Sequence, residues 1–138
     1  MIVRLIEFCS GREDGEISYE QSYIVQLKSG IQISILDFDK NDLRNYIKKD
    51  VECLLELWIN SDPPGFLVEG EYIGNLCFKP NWLKSNRYLS LNAYFGIKTI
   101  EGVFIIEEEE VKNFNLNKGD NVKFYADRIN LVAWYSIN

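Results

Sequence analysis

Residues 50–60 read "DVECLLELWIN". Val51, Cys53, Leu55, Leu57 and Ile59 recur at every second position, the period of a strand with one buried face. Glu52, Leu54, Glu56 and Trp58 project to the opposite side. The two glutamates suit water there, but Leu54 and Trp58 need a second layer or a partner over them. The stretch therefore sets two expectations, a β fold and a covered outer face, with a second layer of the same domain the favoured cover.

Strand signals continue on both sides of it. In "SYIVQLKSGIQISILDFD" (22–39), Val25, Leu27, Ile31, Ile33 and Ile35 form one face, with "KSG" between two runs, which predicts a β-hairpin. "YLSLNAYFGIK" (88–98) places Leu89, Leu91, Ala93 and Phe95 on one face, and "GVFII" and "NVKFYADRINLVAWYSI" supply the last strands. Helical signals are short: "NDLRNYIKK" (41–49), two turns at most, and a first turn in "EEEEVKNF" (107–114). "NSDPPG", "KPN" and "NKGD" punctuate the chain as turns, and no linker or low-complexity segment interrupts it. The fold class expected is mainly β over residues 1–138 as a single domain. It is a small, partly open barrel or curled antiparallel sheet, OB-like or SH3-like, with one or two short helices.

"NYIKKDVECLLELWI" resembles the first strand of an OB-type barrel entered from a turn. "NYIKKDVECLLEL" (45–57) and "NFNLNKGDNVKFYADRINL" (113–131) also echo each other: an aromatic residue, an apolar one, Lys, Asp, then a strand that begins with Val. Common corner chemistry accounts for that likeness without a repeat.

At 138 residues the chain buries about 68% of its unfolded surface and needs no metal or disulfide for stability. Cys9, Cys53 and Cys77 are odd in number and far apart, which argues against a disulfide framework or zinc knuckle. Cys53 and Cys77 fall in apolar strand patterns, and all three thiols are expected to be structural. No histidine is present, so histidine bases, Ser-His and Cys-His nucleophiles and imidazole metal sites are excluded. No apolar run reaches the roughly 18 residues of a membrane span, and Arg4 and Glu7 break the opening stretch. A cytoplasmic protein without cofactor or membrane partner is the expectation.

Asp37, Asp39 and Asn41 stand at the first ligand positions of a calcium loop. Asp42 replaces its glycine and Lys48 its last carboxylate, so a strand end and a helix cap are expected there. Glu107, Glu108, Glu109 and Glu110 alternate if extended and fan out if helical. They read as a solvated acidic corner that starts a helix, with a docking patch for a basic partner as the functional alternative. Glu69 and Glu71 share a strand face and are the carboxylate pair nearest to acid–base chemistry.

Charge is uneven. The chain carries −6, yet residues 72–100 hold Lys79, Lys84, Arg87 and Lys98 without an acid, interleaved with Phe78, Trp82, Tyr88, Tyr94 and Phe95. Cations beside rings are what single-stranded nucleic acid needs, whereas the net charge repels it. Two functions follow as expectations. The first is a non-catalytic cytoplasmic binding module of inhibitor or immunity type. It contacts another, basic protein through Glu107–Glu110 and Trp58. The alternative is an OB-like nucleic-acid-binding domain that uses Lys79, Trp82, Lys84, Arg87 and Tyr88.

Overall fold

The computed structural model describes residues 1–10, 13–14, 17–18, 21–38, 41–78, 80, 82, 89 and 92–137. The chain runs β1 (Ile2–Ser10), β2 (Glu13–Asp14), β3 (Ile17–Ser18), β4 (Gln21–Gln26), β5 (Gln32–Leu36), a 3-10 turn (Arg44–Tyr46) and β6 (Asp50–Asn60). It continues with β7 (Phe66–Asn75), β8 (Tyr94–Thr99), β9 (Gly102–Glu107), a short helix α1 (Glu108–Asn113) and β10 (Asn121–Ser136). The expected mainly β, curled sheet with few short helices is what forms. Eight strands join one sheet, in the order β1-β4-β5-β10-β6-β9-β8-β7, and the extra pairings β1–β6 and β10–β7 bend it back on itself.

The long antiparallel ladder between β6 and β10 is the axis of the structure. It runs from Tyr125 opposite Asn60 to Ser136 opposite Val51. Around it the chain is organised twice. β1–β4–β5–turn–β6 and β7–β8–β9–α1–β10 have the same connectivity. In each, three strands form a meander and the last strand returns antiparallel to the first, Val51 opposite Val3 and Tyr125 opposite Leu67. In each, the third strand crosses to the other half and lies parallel to its last strand, Leu36 beside Asn130 and Ile105 beside Glu56. Glu56 and Asn130 are also each other's partners, so a pseudo-twofold axis passes between them.

The echo between 45–57 and 113–131 falls on the turn-to-strand entries of equivalent elements. The likeness in sequence is out of step with the structure: Val51 is equivalent to Tyr125, not to Val122. Gly65, at the join of the halves, has φ +141°, and a Cβ there would lie 2.6 Å from the Ala126 carbonyl oxygen, so only glycine fits.

Both halves fill one core. Val51, Cys53, Leu55 and Leu57 are fully buried, as their alternation requires, and pack with Val3, Leu5, Tyr23, Val25 and Ile35 of the first half and Val68, Ile97, Phe104, Ile106 and Leu131 of the second. The outer face carries a second apolar layer, in which Leu54, Ile105 and Ala133 meet Trp82, Leu89 and Tyr94. The expected cover over Leu54 therefore comes from the chain itself.

Three local expectations need correction. Ile31, assigned inward, is 50% exposed, because the turn that closes from Leu27 to Ile31 turns it out of the alternation. The strand expected over 88–98 begins only at Tyr94, and Leu89 belongs to the outer layer. Cys77 lies beyond the end of β7 and is exposed, whereas Cys53 is a core residue whose thiol burial pushes up to about 12.

The two equivalent hairpin tips are tied together. Glu101, between β8 and β9, is 7% exposed and accepts from the Ser29 backbone N–H and hydroxyl, both at 2.9 Å. Removing that carboxylate strands a partly buried N–H, so Glu101→Ala is expected to cost about 1–3 kcal/mol in thermal or urea unfolding. Glu101→Gln should retain part of the loss. Unchanged stability in Glu101→Ala would show the tie to be idle.

Candidate functional site

Glu56 and Trp58 leave β6 on the outer face, beyond the part that the second layer covers. Glu56 is 6% exposed, a burial that carboxylates reach only with partners, and Trp58 is 45% exposed. Across the ladder, Asn130 stands opposite Glu56 and Arg128 opposite Trp58. The Trp58 Nε1–H donates to Glu56 Oε1 at 3.1 Å, and the Asn130 side chain also bonds the carboxylate. The Arg128 guanidinium lies between two rings, 4.4 Å from the centre of Phe38 and 4.7 Å from that of Trp58. Phe38 is itself 52% exposed. Stacking of this kind is worth about 0.5–1 kcal/mol per ring at an exposed site and holds the guanidinium against the surface.

The glutamate run closes the other side. β9 ends at Glu107, which caps α1 without a side-chain hydrogen bond, so its carboxylate is not used for capping. Glu107, Glu108 and Glu109 are exposed and Glu110 is half-buried, which is the acidic strand-to-helix corner that the sequence predicts. Glu108 faces Lys112 at 3.5 Å along the helix. Glu110 turns inward and takes a hydrogen bond from the Ile59 backbone on the edge of β6. Of the sequence-predicted contact residues, the structure brings Trp58, Glu107 and Glu110 around Glu56, and leaves Glu108 and Glu109 toward solvent.

The electrostatics follow from that crowding. Burial raises the pKa of Glu56, the charges of Glu107 and Glu110 add to it, and the bonds from Trp58 and Asn130 oppose it. Burial likewise raises Glu110, the Ile59 bond opposes, and Glu107, Glu109 and Asp127 raise it further.

The other expected sites resolve differently. Lys79, Lys84, Arg87 and Tyr88 lie outside the described residues. Trp82, expected as an exposed stacking platform, is corrected: it is 7% exposed, and its ring packs 4.6 Å from that of Tyr135 in the outer layer. Asp37 is buried and accepts from the Asn41 backbone and side chain, a local turn of the kind expected in place of a calcium loop; Asp39 lies outside the described residues. Glu69 and Glu71 are exposed on one face of β7, with Lys123 opposite the first and Lys98 opposite the second in the strand register. Among the described residues no group of three or more acids and cysteines is placed to hold a metal ion, and no helix is long and apolar enough to cross a membrane.

A larger cleft of about 790 Å³ opens elsewhere, between Met1–Arg4 and Lys98–Val103. Its acids are engaged: Asp50 pairs with Arg4 at 3.8 Å, Glu52 with the α-amino group at 3.7 Å, and Glu101 with Ser29. The outer face around Glu56 gathers two buried acceptors that receive no hydrogen bond, Asn130 Oδ1 and Glu110 Oε2.

Known proteins give no guide to it. No family model, curated protein or solved structure matches the chain.

Sequence reasoning set Glu56 and Trp58 on one face of β6 and singled out Trp58 and the glutamate run, but it gave Glu56 no role and missed Phe38, Arg128 and Asn130 as members of that face. The available signal was the pair of polar residues, Arg128 and Asn130, that alternates inside the apolar run "ADRINLVAW". The pairing of β10 with β6 that gives them meaning is not local.

A pH test of the site follows. The folded-state pKa of Glu56 lies above the ordinary value of 4.5, so between the two the folded chain binds protons that the unfolded chain releases, and stability falls as pH rises through that window. Glu56→Gln keeps an acceptor for Trp58 without the charge. It is expected to melt higher than the wild type at pH 7, with the gap narrowing toward pH 4. A lower melting temperature at pH 7 would mean that the buried charge stabilises the fold.

Proposed function

We propose that this chain is a non-catalytic binding module that docks on another, basic protein through the outer face around Trp58. One observation carries the reading. The outer face is half covered by the chain's own apolar layer, while its other half presents Trp58, Phe38 and a stacked Arg128 beside a buried carboxylate. Trp and Arg are the residue types that carry most of the energy at protein interfaces, and a ring held against a cation loses little freedom on contact. The exposed Glu107, Glu108 and Glu109 and the net charge of −6 give the long-range attraction for a basic surface. An inhibitor or immunity-type role in the cytoplasm is the specific form this takes. The absence of histidine supports a non-catalytic role.

The test is capture on the immobilised full chain, with Trp58→Ala and the triple variant Glu107→Gln, Glu108→Gln, Glu109→Gln as parallel baits. A partner with a high isoelectric point, retained by the wild type, is expected to be lost with Trp58→Ala. With the triple variant its association should slow by about tenfold at low salt and little at high salt. A partner retained equally by all three baits would place the contact elsewhere and end this reading.

The nucleic-acid alternative rests on the basic and aromatic stretch, and the burial of Trp82 takes away its central ring. Anisotropy of a labelled, mixed-sequence single-stranded oligonucleotide is expected to stay flat on titration even at low salt. Micromolar, salt-sensitive binding would reverse the order of the two readings.

A further inference from the structure

Two buried acceptors on the face around Glu56 receive no hydrogen bond. Asn130 donates to Glu56 and is 8% exposed, yet its Oδ1 is buried on the same face and receives no hydrogen bond. Glu110 Oε2 is likewise buried without a donor. Glu107 uses none of its carboxylate for the helix cap. The charges that act on Glu56 are Glu107 and Glu110, both negative, and Asp127 and Glu109 add theirs at Glu110. The cation on this face, Arg128, is set between the Phe38 and Trp58 rings. Buried acceptors without donors are uncommon in folded proteins, and here they sit beside three carboxylates and an exposed indole.

We propose that this face takes one guanidinium group, the side chain of an arginine supplied by the protein partner, with Glu56, Glu107, Glu110 and the Asn130 oxygen as acceptors and Trp58 as its wall. The inference rests on the docking reading above and names what the partner inserts. A guanidinium fits better than the other cations. It offers five donors in a plane, is weakly hydrated and stacks on aromatic faces, whereas an ammonium is a compact, strongly hydrated point charge. A metal ion wants its oxygens gathered at a single point, and among the described residues no three acids are so gathered. The acceptors here are spread over β6, β9, β10 and α1, which suits a broad planar donor.

The probe is butylguanidinium chloride, read by the indole N–H signals of the ¹⁵N-labelled full chain, with Trp58 assigned through Trp58→Phe. Butylammonium chloride and sodium chloride at matched ionic strength serve as comparisons. A saturable shift of the Trp58 signal is expected with butylguanidinium, with at least threefold weaker affinity for butylammonium and no saturation with sodium. Glu107→Gln and Glu56→Gln should each weaken the guanidinium response by threefold or more, while the Trp82 and Trp134 signals stay in place and report an intact fold. A shift that fails to saturate, that butylammonium reproduces equally, or that survives both substitutions overturns the proposal. If Trp58→Ala still abolishes partner capture when the guanidinium response is absent, the docking reading stands and only this inference falls.

Discussion

The structure depends on one ladder. β6 and β10 pair over most of their length, and every other strand of the main sheet except β4 and β8 pairs with one of them. At the midpoint Glu56 meets Asn130, the residues about which the two halves repeat. Because each half sends its third strand to the other's last strand, neither half completes its own sheet alone. The single core, with side chains from both halves on one face of the ladder, is the energetic consequence of that exchange.

The symmetry of the backbone makes the asymmetry of the side chains informative. Two residues from Glu56 in one direction, Leu54 lies opposite Ala133, and Trp82, Leu89 and Tyr94 cover them. Two residues in the other direction, Trp58 lies opposite Arg128, and the pair stays at the surface. The same place in the fold thus carries small and aliphatic side chains where the chain covers itself and a tryptophan and an arginine where it does not. Trp82 and Leu89 come from the segment between β7 and β8, the counterpart of the segment between β1 and β4, and Tyr94 opens β8 itself. A face finished on one side and left open on the other gives the twice-used connectivity one half that differs from the other in its surface.

What the sequence makes legible is what a single strand or turn decides. The inward face of 50–60, the hairpin at "KSG" and the acidic turn into α1 are local, and the structure places them as read, whereas Glu56, read as facing water, is buried. Ile31 and the start of β8 escape because a turn can take an apolar residue out of its alternation without any mark in composition. Trp82 escapes because a ring between cations looks the same in sequence whether it lies on the surface or under it. The doubled topology is illegible for a stronger reason. Register is fixed by pairing across the ladder, and Val51 and Tyr125 fill equivalent places with little chemical likeness. A barrel position constrains which way a side chain points and how much room it has, and many residues meet both conditions.

The buried carboxylate is the feature that the fold does not explain. Its two bonds, from the Trp58 indole and the Asn130 amide, need only an acceptor, and a glutamine at position 56 supplies one. The charged form is disfavoured there: burial raises the pKa of Glu56 and the charges of Glu107 and Glu110 add to it. A carboxylate that serves no bond a neutral side chain could not make is what the proposed docking of a cation would require. Charge at that place matters once a cation arrives, because then burial strengthens the attraction that it previously made unfavourable. The cost carried by the free protein and the selectivity of the face for a cation are, on this view, the same interaction in two states.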